Sequence, residues 1–243
     1  MRGGEDAAGR PIFGFDPARA WEYENGFHLT SHVTRLAKIV GQYDVYRRIR
    51  DLPGDIVEAG VFKGASLIRL ATFREVAESP YSRKIVGFDA FGEFPRPTQS
   101  GDAAYVDRFE QAAGSGIPRE ELVRALDLKG LRNIELVPGD IMQTVPAYAA
   151  EHPELRIALL HIDLDVHDPS LRVLESLWDR VVRNGVVMFD DYGTVEGETR
   201  AVEEFFADRD VLIEKPSTSH VSAFIVKTSA ATPDAIGELD ARS

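Results

Sequence analysis

The chain contains no cysteine, so disulfides, thiolate nucleophiles and cysteine-based zinc sites are excluded. It is also short of basic residues, with 28 Lys and Arg against 40 Asp and Glu, for a formal net charge of −12. Nucleic acid and anionic membranes select a basic face, so neither is the expected main partner, although one local positive pocket stays compatible with this balance. No apolar run approaches the roughly 20 residues that span a bilayer. The opening Met1-Arg2-Gly3-Gly4-Glu5-Asp6 lacks the apolar centre of a secretory signal. A soluble, cytoplasmic protein is expected. Within 243 residues, a hydrophobic content of 44% supplies an ordinary globular core.

The pattern is one of regular β-α alternation, which predicts a doubly wound, Rossmann-like α/β domain with a parallel sheet. Residues 1–17 are polar and rich in Gly and Pro, with Phe13 and Phe15 as docking anchors. A helix follows over 31–50, with Val33, Leu36, Ile39, Val40, Tyr43 and Tyr46 at near 3.6-residue spacing. Strands are expected at 55–58, 84–89, 133–137, 157–165 and 185–191. Helices are expected at 65–77, 120–129, 170–183 and 198–209. Residues 211–214 and 222–226 read as a terminal antiparallel hairpin. The segment 91–118 is dense in Gly and Pro and reads as a long loop with at most one helical turn, a lid over a substrate. The organisation is an N-terminal helical cap over 1–50, a catalytic domain over 51–230 and a frayed tail over 231–243. No internal repeat is evident.

Two features carry chemistry. In the first, Glu58-Ala59-Gly60-Val61-Phe62-Lys63-Gly64 turns from the first strand into a helix, where glycines admit close backbone approach and free N–H groups face a ligand. Asp89, ending the next strand, is placed for ribose hydroxyls. Phe62 occupies the position of the second glycine of a dinucleotide fingerprint, and Gly64-Ala65-Ser66 lacks the G-K-[ST] of a phosphate loop. An acid-led turn with fewer glycines suits S-adenosylmethionine, which has no phosphate and carries a sulfonium. The same residues also fit a tight turn with no ligand.

The second feature is acidic. Asp163 and Asp165 end one apolar strand, and Asp190 and Asp191 end another. Ligands bind at the carboxyl ends of such strands. Repulsion among four carboxylates calls for a cation or a shared proton. Hard oxygen donors in this number suit Mg2+, although single aspartates also cap helices and turns. Asp165 either joins the set or accepts a proton from the loop. His167 is a second candidate for substrate contact, whereas His161, inside an apolar strand, reads as a wall residue. His28 and His32 reach the pocket only if the N-terminal segment folds over it.

Three stretches, Asp55 to Gly64, His161 to Val166 and Gly185 to Gly193, together with Tyr23 to Thr30, resemble the macrocin O-methyltransferase (TylF/MycF) family from about residue 20 to 227. The resemblance implies a class I methyltransferase fold. It further implies Mg2+-dependent methyl transfer from S-adenosylmethionine to a sugar hydroxyl of a glycosylated natural product. It carries Glu58, Gly60 and Gly64 to the methionine end of the cofactor, Asp89 to the ribose and Asp140 to the adenine. Asp163, Asp190 and Asp191 match the metal ligands, and Asp165 a general base. The full candidate set for the cofactor is Glu58, Gly60, Val61, Phe62, Gly64, Ser66, Asp89, Asp140 and Asp163; Asp165 and His167 are the catalytic candidates. A small-molecule glycoside and a second copy of the chain are the expected partners. Two alternatives stay open, a catechol-type methyltransferase acting on an aromatic vicinal diol and a non-catalytic cofactor-binding protein of the same fold.

Overall fold

Strand β4 (Ile157–Ile162) is buried at every position, and its alternate residues serve two separate cores. Val57, Val86, Leu160 and Val187 face one side of the sheet, and Ile56, Ile85, Leu159 and Val186 face the other. A strand covered on both faces has no polar alternation to give, which is why these runs read as continuous apolar stretches. The computed structural model describes residues 9–95, 100–219 and 221–228. Residues 1–8, 96–99, 220 and 229–243 lie outside the described residues, and with them part of the expected lid and all of the expected tail.

The remaining strands are β1 (Asp55–Ala59), β2 (Ile85–Asp89), β3 (Ile134–Pro138), β5 (Val181–Phe189), β6 (Ile213–Glu214) and β7 (Ala223–Val226). They form one sheet in the order β3-β2-β1-β4-β5-β7-β6. The first five run parallel, and β7 inserts antiparallel between β5 and β6. The terminal hairpin expected from the sequence is thus present. The order reverses between β1 and β4, which opens a crevice at their carboxyl ends.

Helices α2 (Val33–Arg47), α3 (Ala65–Ala77) and α5 (Arg119–Leu128) follow the expected order, whereas α1 (Ala20–Thr30) occupies a stretch to which the sequence assigns no helix. Helices α7 (His167–Leu177) and α8 (Glu196–Phe206) begin two to three residues earlier than the sequence suggested. Two further helices depart from the reading of the sequence. α4 (Ser100–Ala113) occupies most of what read as a loop, and α6 (Ile141–Glu151) fills a stretch with no assignment, with Pro146 inside it. Strand β4 also stops at Ile162, so Asp163 and Asp165 stand in the loop beyond it.

Helix α2 shows a rotated face. Of the expected apolar stripe, Val33, Leu36 and Val40 are exposed, whereas Gln42, Val45 and Tyr46 are buried. Lys38 shares the inner stripe with Gln42 and Val45, at helical spacing of four and seven. The helix therefore presents amines and amides to the sheet rather than a purely apolar surface. Gly41 lets it close on the β6–β7 loop, where an added Cβ would lie 3.0 Å from Pro216.

Candidate active site

Strand ends meet at Gly60. Its φ is +91°, and a Cβ there would lie 1.8 Å from the Asp163 carbonyl oxygen, so the β1 turn and the β4 loop touch only because the side chain is absent. The Gly60 N–H donates to the Phe88 carbonyl at 2.9 Å and the Asp163 N–H to the Ala59 carbonyl at 2.9 Å. β1, β2 and β4 thereby end in one plane. Asp89 bends the next turn inward, accepting from Val61 N and Phe62 N at 2.8 Å each and from Phe91 N at 2.6 Å.

A cleft of about 240 Å³ opens above these ends. Gly60, Phe62, Asp89, Asp140, Asp163 and Asp165 line it, together with Phe94, Phe109 and Met142. Asp140 also caps α6 by accepting from Met142 N at 2.9 Å. Glu58 and Ser66 do not line the cleft. They hydrogen-bond to each other in its buried floor, on the α2–α3 side of the sheet. Val61 and Gly64 are likewise absent from the lining.

The acids assemble in two groups. His161, Asp163 and Asp190 each offer a donor atom, all within 4.8 Å of one another. Asp191, expected beside them, shares a hydrogen bond with Asp165 instead. Two carboxyls in that contact need a proton between them. Burial, then the neighbouring Asp165 and Asp190 charges, push Asp191 up to about 7. Burial also raises Asp165, against the hydrogen bond that it accepts from Tyr105. Burial, the Asp190 charge and the Asp191 charge hold Asp163 well above the carboxylate range, despite His161.

Asp190 is the exception. Burial opposes its ionisation, but the facing His161 and the Lys38 ammonium outweigh burial and keep its carboxyl below the usual range. One oxygen accepts from the Ser222 hydroxyl at 2.8 Å, and the other pairs with Lys38. His161 is fully buried between two acids, its Nδ1 3.2 Å from Glu58 and its Nε2 3.7 Å from Asp190. Burial works against its charge, but Asp190 and Glu58 push it up to about 10. At 3.7 Å its Nε2 has no hydrogen-bond partner, so this wall residue carries a free donor position toward the acids.

Glu198 ties the two acidic loops together. Its buried carboxyl accepts from Leu164 N at 3.2 Å and Asp191 N at 2.9 Å. Burial and the Asp191 charge raise it to about 8. Next to it, an added Cβ on Gly197 would lie 2.7 Å from the Asp165 carbonyl and 2.8 Å from Asp102, which shows how closely α8, α4 and the β4 loop converge.

Helix α4 roofs the cleft. The Tyr105 hydroxyl donates to Asp165 at 2.8 Å, and Asp102 accepts from His167 N at 2.8 Å. Phe62, Phe94 and Phe109 meet ring to ring at 5.3–5.8 Å, with Tyr105 stacked on Phe109 at 6.0 Å. The His167 ring turns outward to Asp168 at 2.8 Å and Glu204 at 2.9 Å, so Asp165 rather than His167 faces the cleft. His28 and His32 are exposed on the N-terminal helices.

Lys38, Tyr105, Glu198 and Ser222 were not foreseen. Glu198 had a signal: it lies one turn before Val202 and two before Phe205, on the apolar side of α8. Lys38 had the same signal relative to Gln42 and Val45. Nothing in the sequence marks Tyr105 or Ser222.

The donors fit a divalent cation by chemistry, since Asp163, Asp190 and the His161 ring crowd one point, where a metal would take the place of the proton on His161 Nε2. The cleft fits a small cofactor by size and lining, with about 240 Å³ bordered by Gly60, Phe62, Asp89 and Asp140.

Residues 34–222 match the macrocin-O-methyltransferase (TylF) family. A curated relative from Streptomyces olivaceus, 8-demethyl-8-(2,3-dimethoxy-alpha-L-rhamnosyl)-tetracenomycin-C 4'-O-methyltransferase, is 29% identical over 158 residues, 62% of this chain and 58% of the relative. Mycinamicin III 3''-O-methyltransferase from Micromonospora griseorubida is 26% identical over 178 residues, 70% of this chain and 67% of the relative. The match thus spans less than two thirds of the tetracenomycin enzyme's length. Among solved structures, the calicheamicin methyltransferase CalS11 superposes with a TM-score of 0.66 at 27% identity, covering 88% of each chain. The O-methyltransferase NovP shares the fold, with a TM-score of 0.68 at 20% identity over 79% of this chain and 80% of that one.

Proposed function

Because this chain belongs to the macrocin-O-methyltransferase (TylF) family, we propose that it transfers a methyl group from S-adenosylmethionine to a sugar hydroxyl of a glycosylated small molecule, with Mg2+ at the acidic edge. The observation that carries the reading is that Asp163 belongs at once to the cofactor-sized cleft and to the cluster of metal-type donors. Donor and acceptor would meet across that residue. The relatives' named reactions, on a rhamnosyl tetracenomycin and a mycinamicin, support a sugar acceptor.

The cofactor supplies an activated methyl on a sulfonium; Mg2+ supplies Lewis acidity for a hydroxyl whose pKa lies far above neutral. Asp163 and Asp190 would hold the ion, joined by His161 once its Nε2 gives up a proton, and Asp191 would join them only by leaving Asp165. Gly60 and Phe62 would border the methionine end, Asp89 the ribose and Asp140 the adenine. Glu58 and Ser66 would act from the floor by holding the turn.

Asp165 takes the proton. It lines the cleft in a left-handed conformation, φ +64°, which turns its side chain toward Tyr105 and Asp191. Its raised affinity for a proton suits a group that must accept one as the oxygen attacks. Asp165 would hold the proton released by the hydroxyl as its oxygen is methylated, the cofactor leaving as the neutral sulfide. Tyr105 holds Asp165 in place, and the phenylalanine wall excludes water. Helix α4, with residues 92–95 before it and 114–116 after it, would close the cleft and read the aglycone. The exposed Trp21, Leu29 and Val33 of the N-terminal helices support assembly as a homo-oligomer.

A second reading has one observation in its favour. The aromatic wall of Phe62, Phe94 and Phe109 with Met142 would also stack on a catechol ring, so an aromatic vicinal diol is the alternative acceptor.

The deciding experiment is calorimetric titration of S-adenosylhomocysteine and S-adenosylmethionine, in Mg2+ and then in EDTA, followed by turnover of a rhamnoside and a catechol. Micromolar cofactor binding that survives EDTA, with metal-dependent turnover of the glycoside alone, is expected. No cofactor binding in either buffer would overturn the methyltransferase reading, and turnover of the catechol alone would overturn the sugar.

A further inference from the structure

The acidic edge already holds a cation, contributed by helix α2. Lys38 reaches 152 residues along the chain to pair with the Asp190 carboxylate. The other Asp190 oxygen accepts from Ser222, so both oxygens are committed. Asp163 and Asp191 also act on the Lys38 charge. The buried His161 Nε2, lacking a hydrogen-bond partner, faces the same point from below.

We propose that Lys38 is a tethered counter-cation of the acidic edge, and that a divalent cation binds Asp190 by displacing its ammonium. The inference rests on the metal site of the proposed function and adds a competitor to it. A divalent ion at the His161, Asp163 and Asp190 donors would sit beside the ammonium that pairs with Asp190, and two cations at contact distance repel. The helix itself stays in place. Gly41 abuts Pro216, and the Thr218 hydroxyl donates to the Ala37 carbonyl at 3.2 Å, which pins the backbone on both sides of Lys38. The exchange is therefore a swing of the side chain, whose 22% exposure leaves it a route to solvent. Lys38 thereby lets the acids gather and the protein fold before metal arrives, and it weakens metal binding by the work of breaking the pair.

The test is Mn2+ titration of the full chain, followed by electron paramagnetic resonance of free Mn2+, in wild type, Lys38→Met and Lys38→Arg. Breaking a partly buried ion pair is costly enough that Lys38→Met should bind Mn2+ roughly ten- to a hundredfold more tightly than wild type. Lys38→Arg, which keeps the charge, should stay within about threefold of wild type. Thermal unfolding gives a second readout, because Lys38→Met should lose stability without metal and gain more from Mn2+ than wild type does. Equal or weaker Mn2+ binding by Lys38→Met than by wild type would overturn the role of Lys38 while leaving the metal site intact. Absence of Mn2+ binding in all three proteins would overturn the metal site and this inference together.

Discussion

Replacing Gly60 by alanine should separate the strand ends on which the cleft is built. The new Cβ would lie 1.8 Å from the Asp163 carbonyl oxygen and 2.7 Å from its carbon. Relief requires β1 and β4 to part by more than about 1 Å, since carbon and oxygen atoms pack at ordinary van der Waals distances. That movement breaks the Gly60–Phe88 and Asp163–Ala59 backbone bonds, both 2.9 Å. Each bond contributes about 0.5–1.5 kcal/mol, and a left-handed alanine costs about 1–2 kcal/mol. With overpacking of about 1–3 kcal/mol, the loss is about 3–8 kcal/mol, against a typical domain stability of about 5–15 kcal/mol. Urea unfolding followed by circular dichroism should show the midpoint fall by at least about 1 M, with S-adenosylhomocysteine affinity lost in the fraction that stays folded. Gly26→Ala on the exposed α1 is the control: nothing lies within 4 Å of its Cβ, so it should be neutral or stabilise by up to about 1 kcal/mol. A Gly60→Ala protein with a wild-type midpoint and wild-type cofactor affinity would refute the contact between the β1 turn and Asp163.

Three further outcomes are expected. Asp165→Asn should keep S-adenosylhomocysteine affinity and lose about 10² to 10⁴ in turnover, as removal of a general base does; near-normal turnover would exclude Asp165. Tyr105→Phe removes one hydrogen bond to a carboxylate, about 1.5–3 kcal/mol, so turnover should fall about 10- to 100-fold with cofactor affinity unchanged. In EDTA, thermal stability should decline as pH rises. Asp191 at about 7 and Glu198 at about 8 hold protons that the unfolded chain sheds near 3.8 and 4.5, so the folded state loses ground between about pH 4 and 8. His161, raised from 6.5 to about 10, contributes stability that is full below 6.5 and lost as pH climbs through 10, in the same direction. Glu198→Gln should flatten the slope below pH 8, and a metal-free protein whose melting temperature rises from pH 5 to 8 would contradict these shifts.

The β1–α3–β2 unit was legible because its signals agree. Asp55 to Glu58 is apolar and β-branched at its centre, the glycines sit where the backbone must turn, and α3 runs over the residues 65–77 that the sequence indicated. The acidic edge was legible because the carboxyl ends of parallel strands are where side chains converge. Its internal pairing was not, since which carboxyl meets His161 and which meets Asp165 depends on loop backbone angles such as the positive φ of Asp165. Helix α4 was hidden by Gly101 and by the glycines and proline after Ala113, which punctuate a loop as readily as they flank a helix. α6 was hidden by Pro146, whose missing N–H costs one bond in a helix held by Val145 and Tyr148 in the core. The inner face of α2 was misread because exposed Val33, Leu36 and Val40 have the hydrophobicity expected of a buried stripe, while Gln42 is buried and Lys38 half-buried. Side chains that complete a charge network do not follow hydrophobic periodicity.

The Ser222 hydroxyl on Asp190, and the β7 strand that follows it against β5, have a consequence for the order in which the site appears during synthesis. Lys38 and Ser222 meet the same carboxylate from 184 positions apart in the chain, and β7 enters the sheet between β5 and the earlier-made β6. While the ribosome still holds the residues after 213, β5 has an open edge and Asp190 has one partner of two. The acidic edge is thus completed only when the β7 segment emerges, so a chain stalled or truncated before it carries all four aspartates without the arrangement that makes them a site.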